Sequence, residues 1–287
     1  MKYFLTIAYL LLHVASVYAV KITEENYLGK QHFVIKTKTA VYYLDKAGGV
    51  ISGMYDKKGR DWISFKTTQN DKYPSTGISL FRGLPGFVSG KNEDDKGISH
   101  PGYDYCYSFK VDNRTILTIS KNGNWQWRWE FYNKYARVTI EKIPPESKYW
   151  FVFGGTIAGK DDPDNQYWGN NLGGPRNDVS DLTKGKEILG NWMWAYFGDK
   201  GEKGVLFVSM IKPDRHLDGF AYIDNKTADT STDGMAIFSF GRHSDQPQLT
   251  RRNNSFIFGI IWERVKNPSR HDSVKKELRN IFKSLHQ

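Results

Sequence analysis

Cysteine is almost absent from the chain: Cys106 is the only one among 287 residues. No intrachain disulfide can form, and no paired-cysteine metal site exists. The sequence also lacks the HExxH motif of zinc hydrolases, the phosphate-binding P-loop and the GxSxG turn of serine hydrolases. A chain of this length can bury a sufficient core without disulfides. These absences exclude a disulfide scaffold and argue against the sites that those motifs mark, while a Ser-His-Asp arrangement outside such a motif stays open.

Long apolar runs are also missing, apart from residues 3–17, which follow Lys2 and lead to Val17, Tyr18 and Ala19. A basic start, a short apolar core and small residues at the cleavage positions are typical of a secretory signal peptide. The run is shorter than the roughly 20 apolar residues that a membrane span needs. We therefore predict a signal peptide over residues 1–19, one domain over residues 20–287 and no membrane span. Export without disulfides suits a secreted or periplasmic bacterial protein.

The 41 Lys and Arg residues outnumber the 31 Asp and Glu residues, which gives a formal net charge of +10. Positive charge outside the cytosol favours anionic partners such as an acidic polysaccharide or oligosaccharide. No basic run resembles a nucleic-acid recognition helix, so we predict no nucleic-acid partner.

Helical periodicity is scarce. Short runs of β-branched and aromatic residues alternate with turn signals, as in residues 34–43 and the turn at residues 45–49. In residues 125–131 aromatic and polar side chains alternate with a period of two. Apolar residues fall at helical spacing only near the C-terminus, at Val274, Leu278, Ile281, Phe282 and Leu285. The sequence predicts an all-β fold, an antiparallel β-sandwich with a C-terminal amphipathic helix.

Residues 159–190 contain few apolar side chains and many Gly, Asn and Asp, which predicts a long loop that is either functional or disordered. Asp161, Asp162 and Asp164 could hold calcium through oxygen ligands, although their spacing is not that of an EF-hand. We predict no metal or other cofactor, with calcium as the alternative.

Aromatic residues are abundant: nine Trp, seventeen Tyr and seventeen Phe. Flat aromatic faces can stack on sugar rings, while Asn, Asp and Arg side chains bind sugar hydroxyls. Trp168, Trp194 and Arg176, in or beside the Gly-rich stretch, are therefore candidate substrate-binding residues. The alternative is that these tryptophans fill the sandwich interior.

A second Gly- and Pro-rich segment, residues 81–106, gathers reactive side chains between two strand-like runs. Elimination on a uronate sugar needs a cation on the carboxylate, a base for the adjacent proton and an acid for the leaving oxygen. Arg82 and Arg242 are candidates for the cation, because a guanidinium can bind a carboxylate in bidentate fashion. His100 is the candidate base and Tyr103 or Tyr105 the candidate acid. The alternative is an irregular connection whose polar residues are structural.

The first hypothesis is thus a polysaccharide lyase that cleaves a uronate-containing chain by β-elimination. A non-catalytic glycan-binding protein could use the same surface. A hydrolase would need two facing carboxylates, for which Glu130 and Glu263 are available. Glu130 is also a candidate substrate-binding residue.

Five short motifs resemble a group of exported bacterial proteins associated with polysaccharide breakdown: GRDW at 59–62, FRGLP at 81–85, HPG at 100–102, WEFY at 129–132 and FSFGR at 238–242. The fold of that group is similar to the galactose-mutarotase-like supersandwich, which sugar epimerases share with several polysaccharide lyases. The resemblance implies a sugar epimerase as a further alternative. Epimerases of this fold use two histidines and an acidic residue, to which His100 and Glu263 correspond loosely.

Overall fold

The computed structural model describes residues 20–65, 82–89, 105–160, 162–178, 187–223, 234–243, 246–250, 252–263 and 268–285. The predicted signal peptide, His100, Tyr103 and Asp161 lie outside these residues.

The described residues form two nine-stranded sheets with antiparallel neighbours. In the first sheet the strands lie in the order β1-β2-β3-β4-β5-β10-β17-β16-β13. Their bounds are β1 Lys21–Tyr27, β2 Lys30–Lys36, β3 Ala40–Asp45, β4 Ile51–Asp56, β5 Gly83–Ser89, β10 Tyr149–Gly155, β13 Ile188–Gly190, β16 Asp218–Ile223 and β17 Met235–Phe240.

In the second sheet the order is β12-β11-β14-β15-β20-β9-β8-β7-β6. Their bounds are β6 Cys106–Lys110, β7 Thr115–Ser120, β8 Gln126–Phe131, β9 Ala136–Lys142, β11 Gln166–Asn170, β12 Gly173–Arg176, β14 Trp194–Asp199, β15 Val205–Met210 and β20 Ser255–Ile261. A short pair, β18 Arg242–His243 and β19 Gln246–Pro247, and one helix, α1 Pro268–Ser284, complete the described elements.

The main hydrophobic core lies between the two sheets. In β8 the alternation of the sequence places Trp127, Trp129 and Phe131 in this core, fully buried, while the intervening polar residues are half-buried. Rings from the two sheets meet directly: the centroids of Phe151 in β10 and Phe256 in β20 are 3.8 Å apart. Burial of these rings is the main force that holds the sheets together.

A second, smaller core lies on the outer face of the second sheet. Val274, Leu278 and Ile281 of α1 are buried there against β14, β15 and β20. The predicted amphipathic helix and the antiparallel β-sandwich are therefore confirmed.

Two segments predicted as irregular contain strands. Residues 159–190 hold β11, β12 and β13, and the segment that begins at residue 81 starts with β5. All five residues of β11 are buried, because the strand is paired on both sides, by β12 and β14. Pairing on both sides satisfies the backbone N–H and C=O groups of β11, so the strand forms despite the low apolar content of this stretch.

Candidate functional site

The candidate site lies on the outer face of the first sheet, where the central strands carry unusually small side chains. Phe238 and Phe240 of β17 point into the core, so Ser239 between them points outward. In β16 the same alternation places Gly219 and Ala221 on this outer face. Ser239 pairs with Gly219, so the two form one continuous floor across the strands.

Glu187, just before β13, places its carboxylate on this floor. A Cβ atom at Gly219 would overlap Glu187 Oε1, and Ser239 Oγ would lie 3.1 Å from that Cβ. Only glycine at position 219 leaves room for the carboxylate. We call Glu187, Gly219 and Ser239 the floor site.

The hydroxyl of Ser239 is fully buried, and no residue of the described ranges forms a hydrogen bond with it. Leaving a buried polar group unpaired costs about 1–3 kcal/mol. A hydroxyl-bearing ligand that reached the floor site would supply the missing hydrogen bond. Ser239 therefore marks the floor site as a place for a polar ligand.

Asp218 precedes the floor in β16 and is 3% exposed. It accepts hydrogen bonds from the backbone N–H of Trp192 at 2.7 Å and of Gly241 at 3.1 Å. Burial raises the pKa of Asp218 to about 8, although the two N–H donors oppose the rise. Asp218 thus joins the segments on both sides of the floor site and exchanges a proton near neutral pH.

Apolar side chains adjoin the floor on the same outer face. Trp150 and Val152 of β10 form a separate buried cluster with Met235 and Ile237 of β17. Val152 pairs with Ser239, which connects this cluster to the floor site. A buried apolar cluster therefore lies next to the carboxylate and the hydroxyl of the floor site.

Arg82 lies just before β5 and is 4% exposed. Its guanidinium donates to the carbonyl oxygens of Ser64 at 2.8 Å and Gly234 at 2.7 Å. These bonds connect the entry of β17 to the segment before β5. The placement supports the structural role that the sequence left open, and binding of a substrate carboxylate by Arg82 stays a prediction.

Arg242 follows the opposite end of β17, in β18. Binding of a substrate carboxylate by Arg242 stays a prediction.

The remaining predicted substrate-binding residues are not gathered at the floor site. Trp168 is fully buried in the main core, and the Arg176 guanidinium lies 4.7 Å from the centroid of its ring. Trp194 is buried in the smaller core beneath α1. The burial of both tryptophans favours the alternative role as core residues.

Three further candidates have contacts of their own. Arg176 donates to Asp178 at 2.6 Å on the protein surface. Arg137 donates to the predicted ligand residue Glu130 at 2.7 Å. Tyr105 is half-buried and packs against the main core before β6.

Within the described ranges, no group of three or more His, Cys, Asp or Glu side chains is arranged to hold a metal ion. No helix of the described chain has the length and apolar character of a membrane span. Two surface depressions, of about 450 and 280 Å³, lie away from the floor site, beside Tyr132 and beside Trp262.

The sequence analysis missed Glu187, Asp218 and Ser239. Residues 218–222 carry the signal that could have indicated the floor, because Gly219 and Ala221 alternate there with the aromatic residues Phe220 and Tyr222. Small residues alternating with core aromatics leave the outer face of a strand open to a ligand or another backbone.

The sequence matches no family model and no curated protein. Solved structures do resemble the fold. The crystal structure of HI1317 superposes with a TM-score of 0.54 at 11% identity, covering 84% of this chain and all of that one. A candidate mutarotase from Salmonella typhimurium superposes with a TM-score of 0.51 at 8% identity, covering 84% of this chain and 94% of that one.

The chain has the galactose-mutarotase-like fold. A galactose mutarotase-like protein from Lactobacillus casei superposes less closely, with a TM-score of 0.48 at 10% identity over 80% of this chain and 97% of that one. The superpositions on the first two structures show a common architecture, which confirms the predicted fold class.

Proposed function

We propose that the protein is a sugar epimerase of the mutarotase type that acts at the floor site. The observation that carries this proposal is the Glu187 carboxylate lying over Gly219 beside the buried hydroxyl of Ser239, which has no hydrogen-bond partner among the described residues. The names of the similar structures, a candidate mutarotase and a galactose mutarotase-like protein, support the same class of reaction.

Interconversion of anomers requires proton transfer but no redox step. A base removes the proton from the anomeric hydroxyl while a water molecule protonates the ring oxygen, so the C1–O5 bond breaks and the open-chain aldehyde forms. After rotation about C1–C2, the ring closes on the other face and the protons return. We assign the base to Glu187 and assign a hydrogen bond to a substrate hydroxyl to Ser239.

The lyase hypothesis has less support. It depends on His100 and Tyr103, which lie outside the described residues, and on Arg82, whose guanidinium already binds two carbonyl groups. Export to the periplasm or beyond remains our proposal from the N-terminal sequence, and an acidic sugar remains our proposal from the net charge.

The test follows the interconversion of freshly dissolved α-anomers of aldoses and uronic acids by proton NMR. We expect the protein to accelerate the reaction of at least one sugar and Glu187→Gln to reduce the rate about 10²- to 10⁴-fold. Glu24→Gln, on the exposed surface of β1, should keep the wild-type rate.

A Glu187→Gln variant with full activity would remove the floor site from the reaction. If no sugar reacts faster but one binds, the protein is a glycan-binding module. Unsaturated products from a uronate polymer would instead restore the lyase hypothesis.

A further inference from the structure

A second surface with the features of a ligand site lies on the other sheet. On the outer face of the second sheet, α1 covers β14, β15 and β20 but leaves the strands near β6 uncovered. Tyr107, Phe109 and Val111 at this edge are each 53% exposed. Exposed aromatic side chains grouped in one place mark interaction surfaces.

The register places these residues next to further apolar side chains. Tyr107 pairs with Ile119, and Phe109 pairs with Leu117, on the adjacent strand β7. Ile119 and Leu117 are half-buried and point to the same outer face. The four side chains form a flat apolar strip two strands wide.

A row of hydrogen-bonding groups runs beside the strip. Gln126 and Arg128 of β8 pair with Ile119 and Leu117, respectively. Both are held by Glu141 of β9, to which Gln126 Nε2 donates at 2.7 Å and Arg128 Nε at 2.5 Å. We call the apolar strip with Gln126, Arg128 and Glu141 the open face.

The charges on the open face are sparse. Arg128 is neutralised by Glu141, whereas Lys121 forms no ion pair with the described residues and its Nζ lies 5.7 Å from the centroid of the Tyr107 ring. Lys121 therefore lies uncompensated beside the four apolar side chains, and the exposed residues Lys110 and Lys142 lie at the ends of β6 and β9.

The balance of apolar and charged side chains on the open face distinguishes between possible ligands. A nucleic acid carries a phosphate on every nucleotide and calls for clustered cations. A second copy of the chain would bring the same net charge of +10, which opposes association. A uronate polysaccharide has sugar rings with apolar faces, many hydroxyls and widely spaced carboxylates, which matches the strip, the polar row and Lys121.

We propose that the open face is a binding site for a uronate-containing polysaccharide, separate from the floor site. Sugar rings stack on Tyr107 and Phe109, hydroxyls bind the row of Gln126, Arg128 and Glu141, and one carboxylate binds Lys121. The two sites lie on the outer faces of different sheets, so the open face would hold a polymer while the floor site acts on a single sugar unit.

The experiment measures binding of alginate, a uronate polymer, by calorimetry. We expect the double variant Tyr107→Ala/Phe109→Ala to bind about tenfold more weakly or worse, because truncation removes the stacking surface. Both side chains are more than half exposed, so the fold should persist. Leu172→Ala is the matched control, since Leu172 is 72% exposed in the turn between β11 and β12, and its affinity should equal that of the wild type.

A second pair of variants tests the charge. Lys121→Gln should weaken alginate binding and reduce its dependence on salt, whereas Lys276→Gln on the exposed surface of α1 should not. Neutral dextran should bind more weakly than alginate. Glu187→Gln should bind alginate normally even if it abolishes anomer interconversion, which separates this proposal from that of the floor site.

Three results would overturn the assignment. The first is unchanged alginate affinity in the double variant. The second is equally tight binding of single-stranded DNA at the open face. The third is a wild-type dimer in sedimentation that the double variant loses, which would assign the open face to a second copy of the chain.

Discussion

At the scale of single residues, the two carboxyl groups near the floor site differ in their surroundings. Asp218 is buried with two backbone N–H donors, and its pKa is raised to about 8. Glu187 is half-buried and lies at the sheet surface. The first group is suited to hold a proton at neutral pH.

The raised pKa of Asp218 predicts a specific pH dependence of stability. Between its ordinary pKa of 3.8 and about 8, the unfolded chain has lost this proton while the folded protein keeps it. The native state then binds more protons, so the free energy of unfolding falls as pH rises, by up to about 1.4 kcal/mol per pH unit. Above pH 8 this contribution no longer changes.

Asp218→Asn removes this titration. In urea unfolding between pH 4 and 9, the free energy of unfolding of the wild type should fall relative to that of the variant up to about pH 8. Above that pH the difference between the two proteins should stay constant. Asp164→Asn, at an exposed position before β11, should instead follow the wild-type curve. Parallel curves for wild type and Asp218→Asn would show that Asp218 is ionised in the folded protein throughout.

At this scale the sequence predicted residue types better than residue positions. Trp168, for which a core position was the alternative to substrate binding, is fully buried. The partners of Arg82 could not be foreseen, because the Ser64 carbonyl lies 18 residues earlier in the chain and the Gly234 carbonyl 152 residues later. The position of the Glu187 carboxylate over Gly219 depends likewise on the register between β13 and β16.

At the scale of elements, strands and helices with a strong internal pattern were predictable. Strand β8 follows the predicted alternation of residues 125–131, and α1 follows the predicted apolar spacing. In contrast, β1 has the sequence KITEENY and buries only Ile22, so its strand conformation comes from pairing with β2 rather than from its own pattern. Tertiary pairing of this kind leaves no local signal.

Helix α1 packs through one narrow face, and Leu278 at its centre is 1% exposed. The first turn is anchored by His271, whose Nδ1 is 2.9 Å from the Tyr196 hydroxyl. Leu278→Ala should lower the free energy of unfolding by about 2–5 kcal/mol, because it removes buried methyl groups and leaves a cavity. Urea unfolding followed by circular dichroism measures this loss.

The control for this change is Lys276→Ala, at an exposed position two residues earlier, which should alter stability by about 0.5 kcal/mol or less. A loss below about 1 kcal/mol for Leu278→Ala would mean that α1 is not part of the cooperative fold.

At the scale of the whole molecule, the all-β architecture was predictable because it depends on alternation and turn signals along the entire chain. The floor site was not, because it arises where strands distant in sequence, β10, β13, β16 and β17, become neighbours. The open face lies on consecutive strands, and residues 125–131 already suggested its polar row. The sequence could not show that Tyr107 and Phe109 are exposed at the β6 edge of the sheet.

The two sheets also meet at their turns, and this contact can be tested with two glycines. Gly49 follows β3 with a φ of +71°, and its carbonyl accepts a hydrogen bond from Trp127 Nε1 in the other sheet at 2.9 Å. A Cβ at this position would lie 2.6 Å from Thr118 Cγ2 and 2.7 Å from the Trp127 ring. Gly59, in the following turn, has a φ of +74° and open space around its Cα.

Gly59→Ala therefore measures the backbone penalty of a positive φ alone, about 1 kcal/mol. Gly49→Ala adds the overlap with β7 and β8, which should cost a further 1–3 kcal/mol or so as the sheets are forced apart. Urea unfolding detected by tryptophan fluorescence reports both variants. Equal losses of stability would show that the turn after β3 can move away from Trp127 freely, and that the packing of the two sheets does not depend on this contact.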